Sequence, residues 1–361
     1  MGGKFIKGGG AMNSYMIVGG QWGSEGKGLF AGYMADVRQP DAVVSQFGPN
    51  AGHTWIEGDI PIVFKSLPVA SIAKSVKRVF LGPGSVINPE ILEKEIDNIE
   101  QLLGNKNIFV HEAAAIIMPG DMEAEEGENG VTHIASTRQG TAEAMIRKIR
   151  RRGAYPASVA LRYMPVTVVN HRLYWGLIHE SKTLQIEGSQ GMDLSINSGY
   201  VYPYTTSRDC TPSQVLADCG LHPHDIGQIY ACIRTYPIRV GNIIDADGKT
   251  LGTSGPCYHD QKEITWGDIG VRQELTTVTK RVRRVFTFSF AQIQKLIDEV
   301  QPTGIFLNFA NYLLSDGLLA LKRDIDKMAG RSIVKWIGYG PKHTDIASFG
   351  PEPIQPPEYK E

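Results

Sequence analysis

Gly19-Gly20-Gln21-Trp22-Gly23-Ser24-Glu25-Gly26-Lys27-Gly28 is the stretch on which the architecture of this 361-residue chain turns. It follows a short apolar run, Tyr15 to Val18, and precedes Leu29 to Asp36, whose apolar spacing predicts a short helix. In a strand, glycine loop and helix arrangement, backbone amides and the helix N-terminus offer a phosphate-binding cradle. The loop is not a Walker A motif. That pattern needs glycine where Gln21 stands and Ser or Thr where Gly28 stands. A G-x-G-x-x-A reading from Gly26 to Ala31 lies too far past the strand for a dinucleotide turn. On its own the segment also fits a glycine turn needed only for close packing.

Further short apolar runs lie at Ala42 to Ser45, Arg78 to Leu81, Asn107 to Val110, Leu184 to Ile186, Ile229 to Ile233, Gly304 to Leu307 and Ile333 to Ile337. Several alternate with helical patterns at Pro89 to Leu103, Thr141 to Arg151, Phe290 to Val300 and Leu318 to Met328. The alternation predicts an α/β fold, a mostly parallel twisted central sheet flanked by helices. The expected organisation is a tail over 1–14, one catalytic domain over 15–350, and an extended, proline-rich tail over 351–361. Asp121 to Gly130, acidic and without an apolar face, reads as an exposed, mobile loop.

Composition narrows the function. Lys plus Arg number 37 against 38 Asp plus Glu, a net charge of −1, so no global basic field exists to hold nucleic acid or a membrane surface. No apolar run reaches membrane-spanning length and the N-terminus lacks a signal-peptide core. The expected location is the cytoplasm. The four cysteines have neither zinc spacing nor a disulfide framework and are expected as reduced interior thiols. Forty glycines, against a usual share of roughly 7%, cluster beside polar residues.

The glycine loop has companions. Asn50-Ala51-Gly52-His53-Thr54, Ser136-Thr137 with Arg151-Arg152-Gly153, Glu187-Gly188-Ser189-Gln190-Gly191, Tyr202 to Ser207, Arg239-Val240-Gly241, Thr277 to Arg284 and Gly340-Pro341 follow in order. Together with Gln21 to Gly28 they resemble the signatures of adenylosuccinate synthetases, in a chain shorter than most bacterial members. That family joins L-aspartate to C6 of a purine monophosphate, first phosphorylating the 6-oxygen from a nucleoside triphosphate and then displacing the phosphate.

The resemblance implies a role for each motif. Ser24, His53, Lys27 and Gln190 are the catalytic candidates, with His53 a general acid of near-neutral pKa. The purine monophosphate is expected at Ser24, Asn50, Ser136, Thr137, Arg151, Gln190, Thr206 and Arg239. The triphosphate is expected at Gly23, Glu25, Gly26, Lys27, Gly28, Thr54, Arg283, Asn311, Gly340 and Pro341. Mg²⁺ is expected at Ser24 and the Gly52 carbonyl, a hard-oxygen set. L-aspartate is expected at Thr277, Val278, Thr279, Arg281 and Arg283, where guanidinium forks suit carboxylates. Arg151 is expected to cross a homodimer interface, although the basic Lys148 to Arg152 run also fits a solvated helix end. Glu263, Asp268 and Glu274 read as surface charges.

Two departures from the family pattern set the substrates. Position 24 is Ser where the family carries Asp, the base for the N1 proton of IMP, and a hydroxyl is a poor base at neutral pH. A guanine carries a 2-amino group beside N1, which would crowd a carboxylate but can meet a hydroxyl. This resembles the phage branch, the N6-succino-2-amino-2′-deoxyadenylate synthetases, and implies dGMP as substrate and the host cytoplasm as location. An IMP-using synthetase and a non-catalytic nucleotide-binding dimer remain as alternatives. Secondly, Phe309-Ala310-Asn311 replaces the Lys-Leu-Asp that reads guanine in GTP-specific members, which implies ATP or dATP; Phe309 and Ala310 also fit a buried strand end.

Overall fold

The computed structural model describes residues 12–127, 130–276 and 280–349. Among these residues ten strands form the central sheet: β1 (Asn13–Gly19), β2 (Ala42–Ser45), β3 (Arg78–Leu81), β4 (Asn107–His111), β5 (Thr167–Val169), β6 (Thr183–Glu187), β7 (Gln228–Arg234), β8 (Gly304–Asn308), β9 (Val334–Gly338) and β10 (Ile346–Ser348). Their order is β10-β9-β8-β7-β1-β6-β2-β3-β4-β5. Every pairing is parallel except β9 with β10. The expected α/β architecture is therefore present. β5 and β10, three residues each, are strands that the apolar runs do not announce.

Strand side chains alternate between faces, and β1 shows the consequence. Tyr15 and Ile17 join one buried apolar cluster with Phe30 and Val43, while Met16 and Val18 join another with Val44 and Ile233. A strand buried on both faces must be continuously apolar, and at about 25 cal/mol per Å² this double burial anchors the sheet.

Helix α1 (Lys27–Arg38) follows the glycine loop. The pattern from Pro89 to Leu103 divides at Ile99 into two helices, the first with Pro89 at its start and the Asn88 side chain as cap. β1 begins at Asn13, so residues 13 and 14 belong to the sheet and not to an N-terminal tail. Asp121 to Gly130 is also not a loop throughout, because Pro119–Glu126 is a helix. Two of its acids, Asp121 and Glu125, are buried while Glu123 and Glu126 are exposed. Asp121 accepts from the Met118 amide and pairs with Arg147, and Glu125 accepts from the Gly140 and Ala142 amides, both at 2.8 Å. The Glu125 carboxylate meets unpaired donors at a neighbouring helix N-terminus, partners that local sequence does not announce. Cys210, Cys219 and Cys232 are buried and Cys257 is half-buried, all as free thiols. Among the described residues no helix is long and apolar enough to cross a membrane.

Candidate active site

In an open α/β sheet ligands bind beyond the strand C-termini where the order reverses, and here that point is β1. The chain runs from β1 outward to β2, returns to insert β6 between them, and later places β7 on β1's other side. The C-termini of β1, β6, β7, β8 and β9 end at Gly19, Glu187, Arg234, Asn308 and Gly338. Four of the expected motifs begin just beyond these ends: the glycine loop, Gly188 to Gly191, Phe309 to Asn311, and Gly340-Pro341.

Close backbone approach brings the loops together. A Cβ on Gly28 would lie 2.7 Å from the Thr54 carbonyl oxygen and 3.0 Å from the His53 carbonyl carbon. One on Gly191 would collide with the Gln21 carbonyl and the Gly23 amide. The Asp193 amide donates to Gln21 O at 3.1 Å, and the Thr206 amide donates to Leu194 O at 2.7 Å. Thr141 donates its hydroxyl hydrogen to Asn50, which connects that loop to the helix following Ser136 and Thr137. Ser24 and Gln190 both adopt left-handed backbone, at φ 59° and 64°. Such conformations at non-glycine residues cluster at functional sites.

The phosphate loop has an internal occupant. Glu25 is fully buried and accepts from the Gln21 and Gly23 amides at 3.1 and 2.6 Å, and its other oxygen lies 2.8 Å from Lys27 Nζ. The carboxylate fixes the loop's curvature and aligns Lys27. Three first-turn amides of α1 have no acceptor within the helix. Glu25 thus shapes the loop from inside.

His53 is buried and stacks on Phe47 at a ring separation of 4.1 Å and an angle of 3°. Its Nε2 has no hydrogen-bond partner among the described residues. Burial, reinforced by Lys27, pushes its pKa down to about 3. The near-neutral value expected from sequence is therefore not the one found, and His53 offers a neutral N–H donor. An unfolded His53 takes up a proton near pH 6.5 and the folded one does not, so this contribution to stability is complete above pH 6.5 and shrinks as pH falls. From pH 7 to pH 5 it costs about 2 kcal/mol. A His53→Gln variant should lose that much less stability across the interval in urea unfolding. An identical loss in both proteins would show that His53 does not titrate as stated.

The arginines expected at the site also make contacts within the protein. Arg239 is buried over the Trp22 ring and donates to the Pro256 and Tyr204 carbonyls at 3.0 and 3.2 Å. Burial pushes it down to about 10, and it holds the segment leading to Thr206. Arg281 donates to the Ala135 and Ser136 carbonyls at 3.0 and 3.3 Å, which brings its loop against the Ser136 segment. Arg283 is pushed down to about 10 by burial, against the attraction of Glu274. Arg151 is exposed at a helix C-terminus, beside the exposed Ile149. Thr277, Val278 and Thr279 lie outside the described residues.

Glu274 is not a surface charge. It forms a bidentate pair with the fully buried Arg234. Glu187 is likewise structural, accepting from the Val69 and Ala70 amides at 2.8 and 2.9 Å, with its pKa raised to about 7 chiefly by burial. Sequence reasoning missed Arg234 and Asp193. Asp193 is buried and bonded to Tyr258, Gln292 and Lys295. The only local signal was a polar residue closing an apolar strand at Arg234.

Among the described residues no group of three His, Cys, Asp or Glu side chains forms a metal cage. The Ser24 hydroxyl and Gly52 carbonyl fit Mg²⁺ as a phosphate-borne ion, because both are hard oxygens and Mg²⁺ keeps waters and phosphate oxygens as its other ligands.

A phosphate loop at the sheet's reversal point, flanked by a buried imidazole and a left-handed glutamine, defines a nucleotide-dependent α/β enzyme. The adenylosuccinate synthetase family model matches residues 16–160 and 156–315, and the chain belongs to that family. It is 40% identical over 356 residues to the N6-succino-2-amino-2′-deoxyadenylate synthase of Salmonella phage PMBT28, covering 92% of this chain and 96% of that protein. The structure of Cyanophage S-2L succinoaminodeoxyadenylate synthetase (PurZ), bound to dGMP and to dATP as an energy donor, is 40% identical with a TM-score of 0.84, covering 94% and 95% of the two chains. The fully ligated adenylosuccinate synthetase of Plasmodium falciparum shares the fold at 18% identity and a TM-score of 0.76, covering 94% of this chain and all of that one.

Proposed function

We propose that this chain is a C–N bond-forming ligase that joins L-aspartate to C6 of dGMP and yields N6-succino-2-amino-2′-deoxyadenylate. The observation that carries this is Ser24, half-buried in left-handed backbone at the centre of the converging loops. Its small hydroxyl leaves room for the guanine 2-amino group and accepts a hydrogen bond from it. The phage relatives and the dGMP-bound PurZ structure support the same reading.

In the first step the γ-phosphoryl group passes from the triphosphate to the 6-oxygen of dGMP while N1 gives up its proton to solvent water, the Ser24 hydroxyl being too weak a base to take it. Lys27 and the first-turn amides of α1 hold the phosphates, and Mg²⁺, when bound, neutralises charge on their oxygens. The neutral Nε2–H of His53 donates to charge developing between the phosphates, and Gln190 donates to the 6-oxygen. In the second step the aspartate amine attacks C6 and phosphate leaves with the 6-oxygen. Arg281 and Arg283 receive the aspartate carboxylates, with Thr277 and Thr279 as loop partners. Asn50, Ser136, Thr137 and Thr206 seat the monophosphate. Arg239 acts from behind by fixing Tyr204. Arg151 is exposed, on a stretch of chain that also exposes Ile149, Tyr155 and Tyr163, and this fits a homodimer in which it reaches the partner's nucleotide.

The energy donor is ATP or dATP. Phe309 offers a stacking face, and Asn311, exposed beyond β8, lacks the acceptor-only carboxylate that would select guanine. With dGMP, aspartate and Mg²⁺ fixed, ATP or dATP should exceed GTP in kcat/KM by at least about tenfold, the scale of one base-edge contact. Turnover of IMP with none of dGMP would overturn the substrate assignment, and a strong GTP preference would overturn the donor assignment.

A further inference from the structure

The end of β7 carries a cation that no step above uses. Arg234 is 0% exposed, and three separate segments meet on its guanidinium. Nη1 donates to the Ser24 carbonyl at 3.1 Å and to Glu274 Oε2 at 3.1 Å, and Nη2 donates to Glu274 Oε1. Its Cζ lies 3.8 Å from the centroid of the Phe309 ring.

Phe309 is itself unusual. Its φ of 59° puts a bulky residue in the left-handed region, a conformation that persists only where the surroundings over-determine it. Here they do. The Phe309 amide donates to Asn308 Oδ1 at 2.8 Å, and its carbonyl accepts from Thr235 Oγ1 at 2.7 Å. The Tyr312 ring is 5.4 Å away, and the Tyr312 hydroxyl donates to the same Glu274 that Arg234 holds. Asn308 Nδ2 in turn donates to the Glu25 carbonyl at 3.3 Å, inside the phosphate loop.

We propose that Arg234 is a positioning residue that ties the Phe309 ring, as platform for the triphosphate's purine, to the backbone of Ser24, which faces the monophosphate base. The inference rests on the nucleotide assignments made above. It makes the two base sites one mechanical unit: seating a purine on Phe309 fixes the guanidinium, and the guanidinium fixes the carbonyl of residue 24. Arginine suits the task because its planar face stacks on a ring while its edge donates to three oxygens, the Ser24 carbonyl and both carboxylate oxygens of Glu274. A lysine ammonium in that place retains the ion pair with Glu274 but has no planar face to stack on the ring and no rigid fork to span Glu274 and the Ser24 carbonyl together.

The test is Arg234→Lys, probed by calorimetry in the absence of dGMP and aspartate, so that its outcome is independent of the monophosphate's identity. Adenosine 5′-(β,γ-imido)triphosphate should bind about tenfold more weakly than to the unmodified protein, whereas inorganic tripolyphosphate, which has no base, should bind equally well. At saturating ATP, kcat with dGMP should also fall about tenfold while KM for dGMP changes less. Glu274→Gln, which leaves the guanidinium in place but loosens its fork, should move the same quantities in the same direction and decides the matter should the lysine variant not fold. Equal weakening of both probes, or undiminished binding of the imidotriphosphate by a folded variant, would overturn the proposal.

Discussion

Replacing Ser24 by aspartate is expected to lower kcat/KM for dGMP by about 100-fold or more while raising that for IMP, so that base preference inverts. The backbone does not oppose the change, since aspartate is among the residues that tolerate the left-handed conformation Ser24 adopts. The effect therefore falls on the base. A carboxylate needs more room than a hydroxyl and crowds the 2-amino group of guanine, whereas hypoxanthine has only hydrogen there. The carboxylate also supplies a base for the N1 proton, a contribution of roughly 10²–10⁴ in rate. Parallel steady-state assays on dGMP and IMP measure both arms. An unchanged ratio of the two kcat/KM values would remove Ser24 from substrate selection.

Lys27→Met should have the second large effect, and in two separable parts. Removing one preorganised charge from the phosphates of a transferring group costs roughly 10²–10³ in kcat. The same change leaves Glu25, which has no solvent exposure, without its ion-pair partner. Breaking one half of a buried pair typically costs 3–5 kcal/mol, here reduced because the Gln21 and Gly23 amides still donate to the carboxylate. The double variant Glu25→Gln with Lys27→Met removes the stranded charge. It should regain about 2 kcal/mol of that loss in denaturant unfolding with no recovery of turnover. Activity returning alongside stability would mean that Lys27 serves the fold alone.

Position along the chain explains which features could be foreseen. β1, the glycine loop and α1 are contiguous, and their apolar spacing and glycine placement express local backbone requirements. The motif set from Gln21 to Pro341 identified the family because each motif lies in one short segment. The Pro119–Glu126 helix was misjudged because its two buried acids find partners far along the chain, Glu125 at the amides of Gly140 and Ala142, 15 and 17 residues onward, and Asp121 at Arg147. Glu274 looked like a surface charge because its partner lies 40 residues upstream.

The amino-acid sequence by itself determined the α/β class, the phosphate loop and the substitution of Ser for Asp at position 24. These depend on periodicity, on residues next to one another, and on side-chain chemistry that survives any environment. Only the tertiary structure decided that Glu25 fills its own loop, that His53 is neutral, that Arg239 faces carbonyls, and that Arg234 joins Ser24 to Phe309. Those properties come from burial and from contacts between strand ends that parallel crossovers bring together from distant parts of the chain. Desolvation and hydrogen-bond partnership exist only once the sheet has assembled.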